Sequence, residues 1–191
     1  PTNLPGTYTY SLVSVSDGSV STCSQLQSGS ATVTVNPLPT ASISGSTEVC
    51  LNAPSPNITF TGATGTAPFT FTYNINGGPN QTVSTTTGNS VTVSVPTSVA
   101  GTFTYNLVSV FDGSSTLCSQ AQTGSATVIV NPLPTSSFTV VTPSCETRVT
   151  SFTDASVPNA GNITSWQWNF GDPASGPLNT STLQDPTHIF S

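Results

Sequence analysis

Two segments of nearly identical sequence decide the fold of this chain. Residues 8–40 read YTYSLVSVSDGSVSTCSQLQSGSATVTVNPLPT, and residues 103–135 read FTYNLVSVFDGSSTLCSQAQTGSATVIVNPLPT. Corresponding residues, such as Tyr8 and Phe103, are 95 positions apart. A period of this length is too long for a solenoid repeat and corresponds to one β-sandwich domain per repeat.

Within and around the repeat, apolar residues alternate with Thr, Ser and Asn, which is typical of strands with one buried face. No segment shows the periodicity of an amphipathic helix. The predicted strands of one complete repeat are 41–44, 57–61, 69–75, 81–85, 91–95, 103–107 and 126–130. Short strands separated by turns predict an all-β fold, with tandem antiparallel β-sandwich domains.

The sequence Asn-Pro-Leu-Pro-Thr, at 36–40 and again at 131–135, follows a Val-rich strand each time. Two prolines stiffen the segment and exclude helix, so it is interpreted as a domain junction. Residues 1–37 are then the C-terminal part of one domain, 38–132 a complete domain, and 133–191 the N-terminal part of a third. The two partial domains are expected to be completed by neighbouring sequence or by neighbouring molecules.

Charge is scarce in this chain. Of its 191 residues one, Arg148, is basic and seven are acidic, for a net charge of −6. Such a surface cannot neutralise phosphates, which argues against binding to nucleic acid or anionic lipid. No apolar run has transmembrane length, so direct membrane insertion is not predicted. Ser and Thr make up about a third of the chain, and their hydroxyls provide a surface suited to an extracellular or cell-surface location.

Four cysteines lie 27, 68 and 27 positions apart, without a C-x-x-C pair or a nearby His. This spacing favours disulfides over a metal site, as expected outside the cell. Cys50 and Cys118 both fall within residues 38–132, and a disulfide between them is predicted. The partner of Cys23 is expected before residue 1, at the position equivalent to Cys50. The partner of Cys145 is expected beyond residue 191.

The run Gly-Thr-Tyr-Thr-Tyr at 6–10 resembles a late strand of immunoglobulin-like domains. In that family a Gly-x-Tyr places a tyrosine at a corner, with its hydroxyl bonded to backbone. The resemblance implies this role for Tyr8. Phe103 stands at the equivalent position of the second copy and cannot make such a bond.

The last third of the chain resembles a second family. Trp166-Gln-Trp-Asn-Phe-Gly-Asp172 is similar to the W-x-F-G-D core of polycystic kidney disease (PKD) domains, and Asp185-Pro-Thr-His-Ile-Phe190 to the P-x-H-x-Y segment that follows it. The chain departs from the pattern at Phe190, where Tyr is usual, and at Pro173, where Gly is usual. The resemblance implies a β-sandwich that serves as a spacer or binding module.

The chain as a whole resembles the large Ser/Thr-rich repeat proteins of gliding Bacteroidota, which alternate immunoglobulin-like and PKD-like modules. Many of these proteins leave the cell by the type IX secretion route. The resemblance rests on the 95-residue unit ending in Asn-Pro-Leu-Pro-Thr and on its junction with a PKD-like module. It implies a surface or secreted protein of the adhesin type.

Few residues could support chemistry. The single histidine, His188, lies in the PKD-like segment, where a structural role is expected, and no G-x-S-x-G motif is present. Asp17 and Asp112 occupy equivalent Asp-Gly turns, and turn chemistry explains them. No metal or cofactor is predicted. Asp154, Asp172 and Asp185 are the weak candidates for calcium, but they lack a D-x-D-x-D spacing, and Asp172 also fits a turn cap. The alternating aromatic residues Trp166, Trp168 and Phe170 are expected to pack as a core, with an exposed sugar-binding row as the alternative.

These observations predict a non-catalytic structural segment: a stalk, fibre or adhesin spacer of a large secreted or surface protein. The expected partners are neighbouring repeats of the same protein, other copies in a fibre, or surface glycans. Two alternatives remain open. One is a carbohydrate- or protein-binding module, and the other is an accessory domain of a secreted enzyme.

Overall fold

The computed structural model of the chain describes residues 3–141 and 147–191. Strands dominate these residues and form several antiparallel sheets, which confirms the predicted all-β sandwich class. The chain divides into two compact units. The larger holds Pro56–Val95 and Phe103–Val128 with N-terminal residues up to Thr47, and the smaller holds Glu48–Ser55, Pro96–Thr102 and Ile129–Ser191.

Four strands form in the first copy of the repeat. They are β1 (Gly6–Ser11), β2 (Ser14–Ser16), β3 (Ser24–Leu26) and β4 (Ser30–Val35). β1 pairs with β4, and β2 pairs with β3. The alternation of Val with Thr along β4 gives the extended, pleated strand that the sequence predicts.

The complete repeat forms nine strands. They are β5 (Thr40–Ser44), β6 (Thr47–Cys50), β7 (Asn57–Ala63), β8 (Thr70–Ile75), β9 (Gln81–Ser84), β10 (Ser90–Ser94), β11 (Gly101–Phe111), β12 (Ser119–Ala121) and β13 (Ser125–Asn131). One sheet has the order β10-β7-β5, and the other has the order β6-β13-β11-β8-β9 with β12 on β11. All seven predicted strands are present, and β6 and β12 are additional.

The core lies where the inward faces of these two sheets meet. Phe60 of β7 packs against Phe71 and Tyr73 of β8, with ring centroids 5.7 and 5.0 Å apart, so aromatic contacts join the sheets. The buried apolar residues are Ile58, Phe60, Phe69, Phe71, Tyr73, Val95, Tyr105, Leu107, Val110, Ala126, Val128 and Val130. Alternate residues of each strand supply this core, as the period of two requires.

A bulge interrupts the long strand β11. The register with β8 shifts between Leu107 and Ser109, so Val108 is the extra residue. Because of this shift Leu107 and Val110 both point inward, although they are three positions apart. The first copy has a break at the same place, since β1 ends at Ser11 and β2 begins at Ser14.

Residues from 138 onward form small sheets of their own. The strands are β14 (Phe138–Val140), β15 (Val149–Asp154), β16 (Trp168–Asn169), β17 (Thr180–Ser181) and β18 (Thr187–Ile189), with a 3₁₀ segment at Pro173–Asn179. β15 pairs with both β14 and β18, and β16 pairs with β17. Among the described residues, no helix is sufficiently long and apolar to cross a bilayer.

Candidate functional site

The two copies of the repeat have the same local structure. The Leu12 N–H donates to Gly29 O in the first copy, as the Leu107 N–H donates to Gly124 O in the second. The bond from Gln27 N–H to Val13 O likewise corresponds to one 95 residues later. Strands β1 to β4 therefore reproduce the fold of residues 101–130.

The copies differ in what covers them. Leu12 is 55% exposed, whereas its equivalent Leu107 is 4% exposed. Val33 is 49% exposed, whereas its equivalent Val128 is fully buried. The same contrast holds for two further exposed residues and their buried equivalents, Tyr10 with Tyr105 and Val15 with Val110.

The strands that cover the second copy belong to the N-terminal half of the same repeat, which we term its front half (residues 38–95). β8 pairs with β11, β6 pairs with β13, and the sheet β10-β7-β5 faces them. All of these covering strands lie within residues 40–94. Because its core-type residues lack such a cover, the first copy presents an apolar surface that we term the acceptor face: Tyr10, Leu12, Val15 and Val33.

The hydroxyl of Tyr8 donates to the carbonyl of Leu4 at 3.0 Å. This bond closes a corner at the start of β1 and confirms the backbone contact that the sequence pattern implied for Tyr8. Phe103 of β11 is the residue equivalent to Tyr8. It has no hydroxyl and cannot form this bond, so the two copies differ at this corner.

Asp17 and Asp112 organise equivalent loops. Asp17 accepts bonds from the hydroxyl of Ser19 and from the N–H of Cys23, at 2.6 and 3.1 Å. Asp112 accepts the corresponding bonds from Ser114 and Cys118. The interpretation of both residues as turn-forming is confirmed.

Asp112 has one additional donor from outside its loop. The N–H of Thr66, in the front part of the repeat, donates to its Oδ2 at 3.0 Å. Burial raises the pKa of Asp112, but the bonds from Ser114, Thr66 and Cys118 outweigh it and hold the pKa below the ordinary value. Asp17 is exposed, and among the described residues its donors are Ser19 and Cys23 of its own loop.

The predicted disulfide between Cys50 and Cys118 is not formed, and both cysteines are free, as is Cys23. Cys50 lies at the end of β6, beside the last residue of β13, while Cys118 lies in the loop before β12, ahead of the start of β13. Cys118 is held in its own loop, where its N–H donates to Asp112 and its sulfur lies 3.2 Å from the hydroxyl of Thr116. Cys145 lies outside the described residues.

An open cavity of about 580 Å³ lies in the smaller unit. Its wall includes Phe138, Phe152, Trp166, Trp168 and Phe170 with the carboxylate of Asp154. Four of these rings contact one another, for example Phe152 with Trp168 at 5.8 Å, whereas Trp166 donates from its indole Nε1 to Oδ2 of Asp154 at 2.9 Å. Trp166, Trp168 and Phe170 are only half-buried, so the cluster is both a small core and an accessible aromatic surface.

His188 is buried beside Asp172, with its Nε2 3.0 Å from Oδ2 of the carboxylate. Its ring stacks on Phe170 at 4.4 Å. Ser191 donates from both its N–H and its hydroxyl to Asp172 rather than to His188. This arrangement ties Ser191 to Asp172 and places the ring of His188 in contact with both Phe170 and Phe190.

The three calcium candidates do not form one cluster. Asp172 is engaged by His188 and Ser191, and the backbone bond from Ser191 lowers its pKa despite opposing burial. Asp154 and Asp185 lie together, because Oδ1 of Asp185 accepts the N–H of Asp154 at 2.8 Å. Within the described ranges, no group of three or more His, Cys, Asp or Glu side chains could hold a metal ion.

No model of a known protein family matches this chain, and no curated protein is significantly similar to it.

Proposed function

We propose that this chain is a non-catalytic, load-transmitting segment of an extracellular repeat array, in which each domain is one 95-residue sandwich. The observation that carries the proposal is the acceptor face. Four residues that fill a core in one copy of the repeat lie exposed in the other, although both copies have the same local structure.

Such a face is costly to leave in water. Burying a Val, Leu or aromatic side chain contributes about 1.5–3 kcal/mol, so covering four of them yields several kcal/mol. The strands that cover the equivalent residues in the complete repeat lie in residues 40–94. The fitting partner of the acceptor face is therefore the front half of another repeat, with the strand pattern of β5 to β10.

A fusion protein tests this proposal. In the sequence, Pro1-Thr2 corresponds to Pro96-Thr97, so a second copy of residues 38–95 placed directly before Pro1 continues the repeat without a linker. We expect the fused segment to cover the acceptor face. Hydrogen exchange at the amides of β1 and β4 should slow markedly, and a second cooperative unfolding transition should accompany that of the original sandwich.

The control carries Phe60→Asp and Phe71→Asp in the added copy alone, where both rings would belong to the new core. This variant should leave β1 and β4 as unprotected as in the chain without the fusion. If the unaltered fusion gives neither slower exchange nor a second transition, the array proposal is wrong.

Several features support an extracellular spacer of the kind found in Bacteroidota surface proteins. The surface relies on hydroxyl and amide groups, so its properties depend little on salt. Proline-stiffened junctions limit bending between domains. A PKD-like module after the repeat fits the same class, and neighbouring repeats are the partners that the acceptor face favours.

A second candidate function is glycan binding by the smaller unit. The half-buried Trp166 and Trp168 border a cavity that also contains Asp154, and rings beside polar groups suit stacking against sugars. Isothermal titration with cello-, xylo- and chito-hexasaccharides tests this function. Binding that is lost in Trp166→Ala would support it, and absence of heat with all three sugars would contradict it.

A further inference from the structure

Cys50 lies beside the first residue of a junction. It is the last residue of β6, and the next N–H along the chain, that of Leu51, donates to Asn131 O at 2.8 Å. Asn131 opens the segment Asn-Pro-Leu-Pro-Thr. The thiol of Cys50 is exposed. One cysteine of the repeat is therefore placed where that repeat ends.

Cys118 lies beside the equivalent residue of the preceding junction. Asn36 corresponds to Asn131, and its Nδ2 donates to the hydroxyl of Thr116 at 2.9 Å. The same hydroxyl lies 3.2 Å from the sulfur of Cys118. The other cysteine of the repeat is thus held against the end of the repeat before it.

These two placements bring different cysteines to one junction. Consider two consecutive complete repeats and the junction asparagine between them. The cysteine of the first repeat that is equivalent to Cys50 lies next to the main chain of this asparagine, and the cysteine of the second repeat that is equivalent to Cys118 lies near its side chain. We propose that consecutive repeats are joined by a disulfide between these two cysteines, an inference that rests on the proposed array.

This pairing accounts for the two cysteines that a single sandwich leaves free. It also gives every internal repeat one bond to each neighbour. The reaction is oxidation by a disulfide compound such as glutathione disulfide. Two thiols lose two protons and two electrons to form the bond, and two molecules of reduced glutathione are released. The bond would fix the angle between domains at a junction that prolines only stiffen.

The fusion described above contains the required pair, since its added copy supplies a Cys50 before the first junction. After incubation with oxidised and reduced glutathione, peptide mapping by mass spectrometry should find the added Cys50 bonded to Cys118. The unfolding midpoint of the oxidised fusion should exceed that of the reduced fusion. Cys118→Ser should abolish the bond and the shift, whereas Cys23→Ser should preserve both.

Two readouts separate this inference from the array proposal. If β1 and β4 are protected but Cys118 remains free or bonds to a different cysteine, the junction disulfide is wrong and the array stands. If neither protection nor the bond is found, both proposals are wrong.

The unfused chain provides an independent test that requires no new fold. With Cys23, Cys50 and Cys145 changed to Ser, Asn36→Cys should be cross-linked efficiently to Cys118 by a short bismaleimide. The matched control is Ser30→Cys, at the opposite end of β4, which should not be cross-linked. Equal yields at both positions would overturn the proposed proximity.

Discussion

At the scale of single residues, Asp112 shows how one buried carboxylate joins local and distant structure. It is 1% exposed and accepts bonds from its own loop and from Thr66. Asn has nearly the same shape as Asp, but one of the two accepting oxygens becomes an NH2 group that faces a donor instead of accepting its bond. A buried donor without its acceptor costs about 1–3 kcal/mol.

We therefore expect Asp112→Asn to lower the free energy of unfolding of the sandwich by about 1–3 kcal/mol at neutral pH. The pKa of Asp112 is lowered in the folded state, so its contribution is present above the ordinary value of 3.8 and is lost as the pH falls through the folded pKa. The difference in stability between wild type and variant should shrink accordingly, which urea unfolding between neutral and acidic pH can measure.

Asp17→Asn is the matched control for that experiment. Asp17 accepts the same bonds within its loop. It is exposed, however, and no described residue donates to it as Thr66 donates to Asp112. Its replacement should change the unfolding of the sandwich much less. An equal loss of stability in the two variants would contradict a special contribution from the buried carboxylate.

At the scale of elements, β11 and the pair β1 and β2 provide a comparison within one chain. Leu107 and Leu12 occupy equivalent positions and are each followed by Val-Ser-Val, but strands from residues 40–94 cover Leu107 alone. Packing therefore depends on which strands face an element, and not on the element itself.

Leu107→Ala should lower the free energy of unfolding by about 2–5 kcal/mol, because it leaves a cavity in the core. Leu12→Ala should change it by no more than about 0.5 kcal/mol, as expected at an exposed site. Chemical denaturation of the two variants measures both values. A large loss in Leu12→Ala would indicate that the acceptor face is already covered in solution.

At the scale of the whole molecule, the apolar core of the sandwich is drawn from a continuous stretch of chain. Every buried apolar residue of that core lies between Pro39 and Val130. Among the described residues, β1 to β4 pair only with one another. The sandwich should therefore not depend on the first copy of the repeat for its core.

We expect a chain beginning at residue 38 to keep the cooperative unfolding transition of the complete repeat, with a midpoint close to that of the full chain. Differential scanning calorimetry of both chains measures this. A truncated chain that unfolds without a cooperative transition would show that the predicted boundary between 37 and 38 is wrong.

The sequence by itself determined the features that depend on neighbours along the chain. Alternation of Val with Thr located β4, and the placement of Ala126, Val128 and Val130 at every second position located β13, because the two faces of a strand are set by its own residues. The loops of Asp17 and Asp112 were predictable for a similar reason, since Ser and Cys donors a few positions away complete them. The bond from Tyr8 to Leu4 also spans only four positions.

Only the tertiary structure decided features that depend on distant strands. The same local sequence is exposed at Leu12 and buried at Leu107, because burial is set by strands in residues 40–94. The predicted disulfide between Cys50 and Cys118 is not formed, since membership of one repeat does not by itself bring two thiols into contact. Contacts such as that of Asn36 with Thr116 join positions 80 residues apart, and no local pattern in the sequence records them.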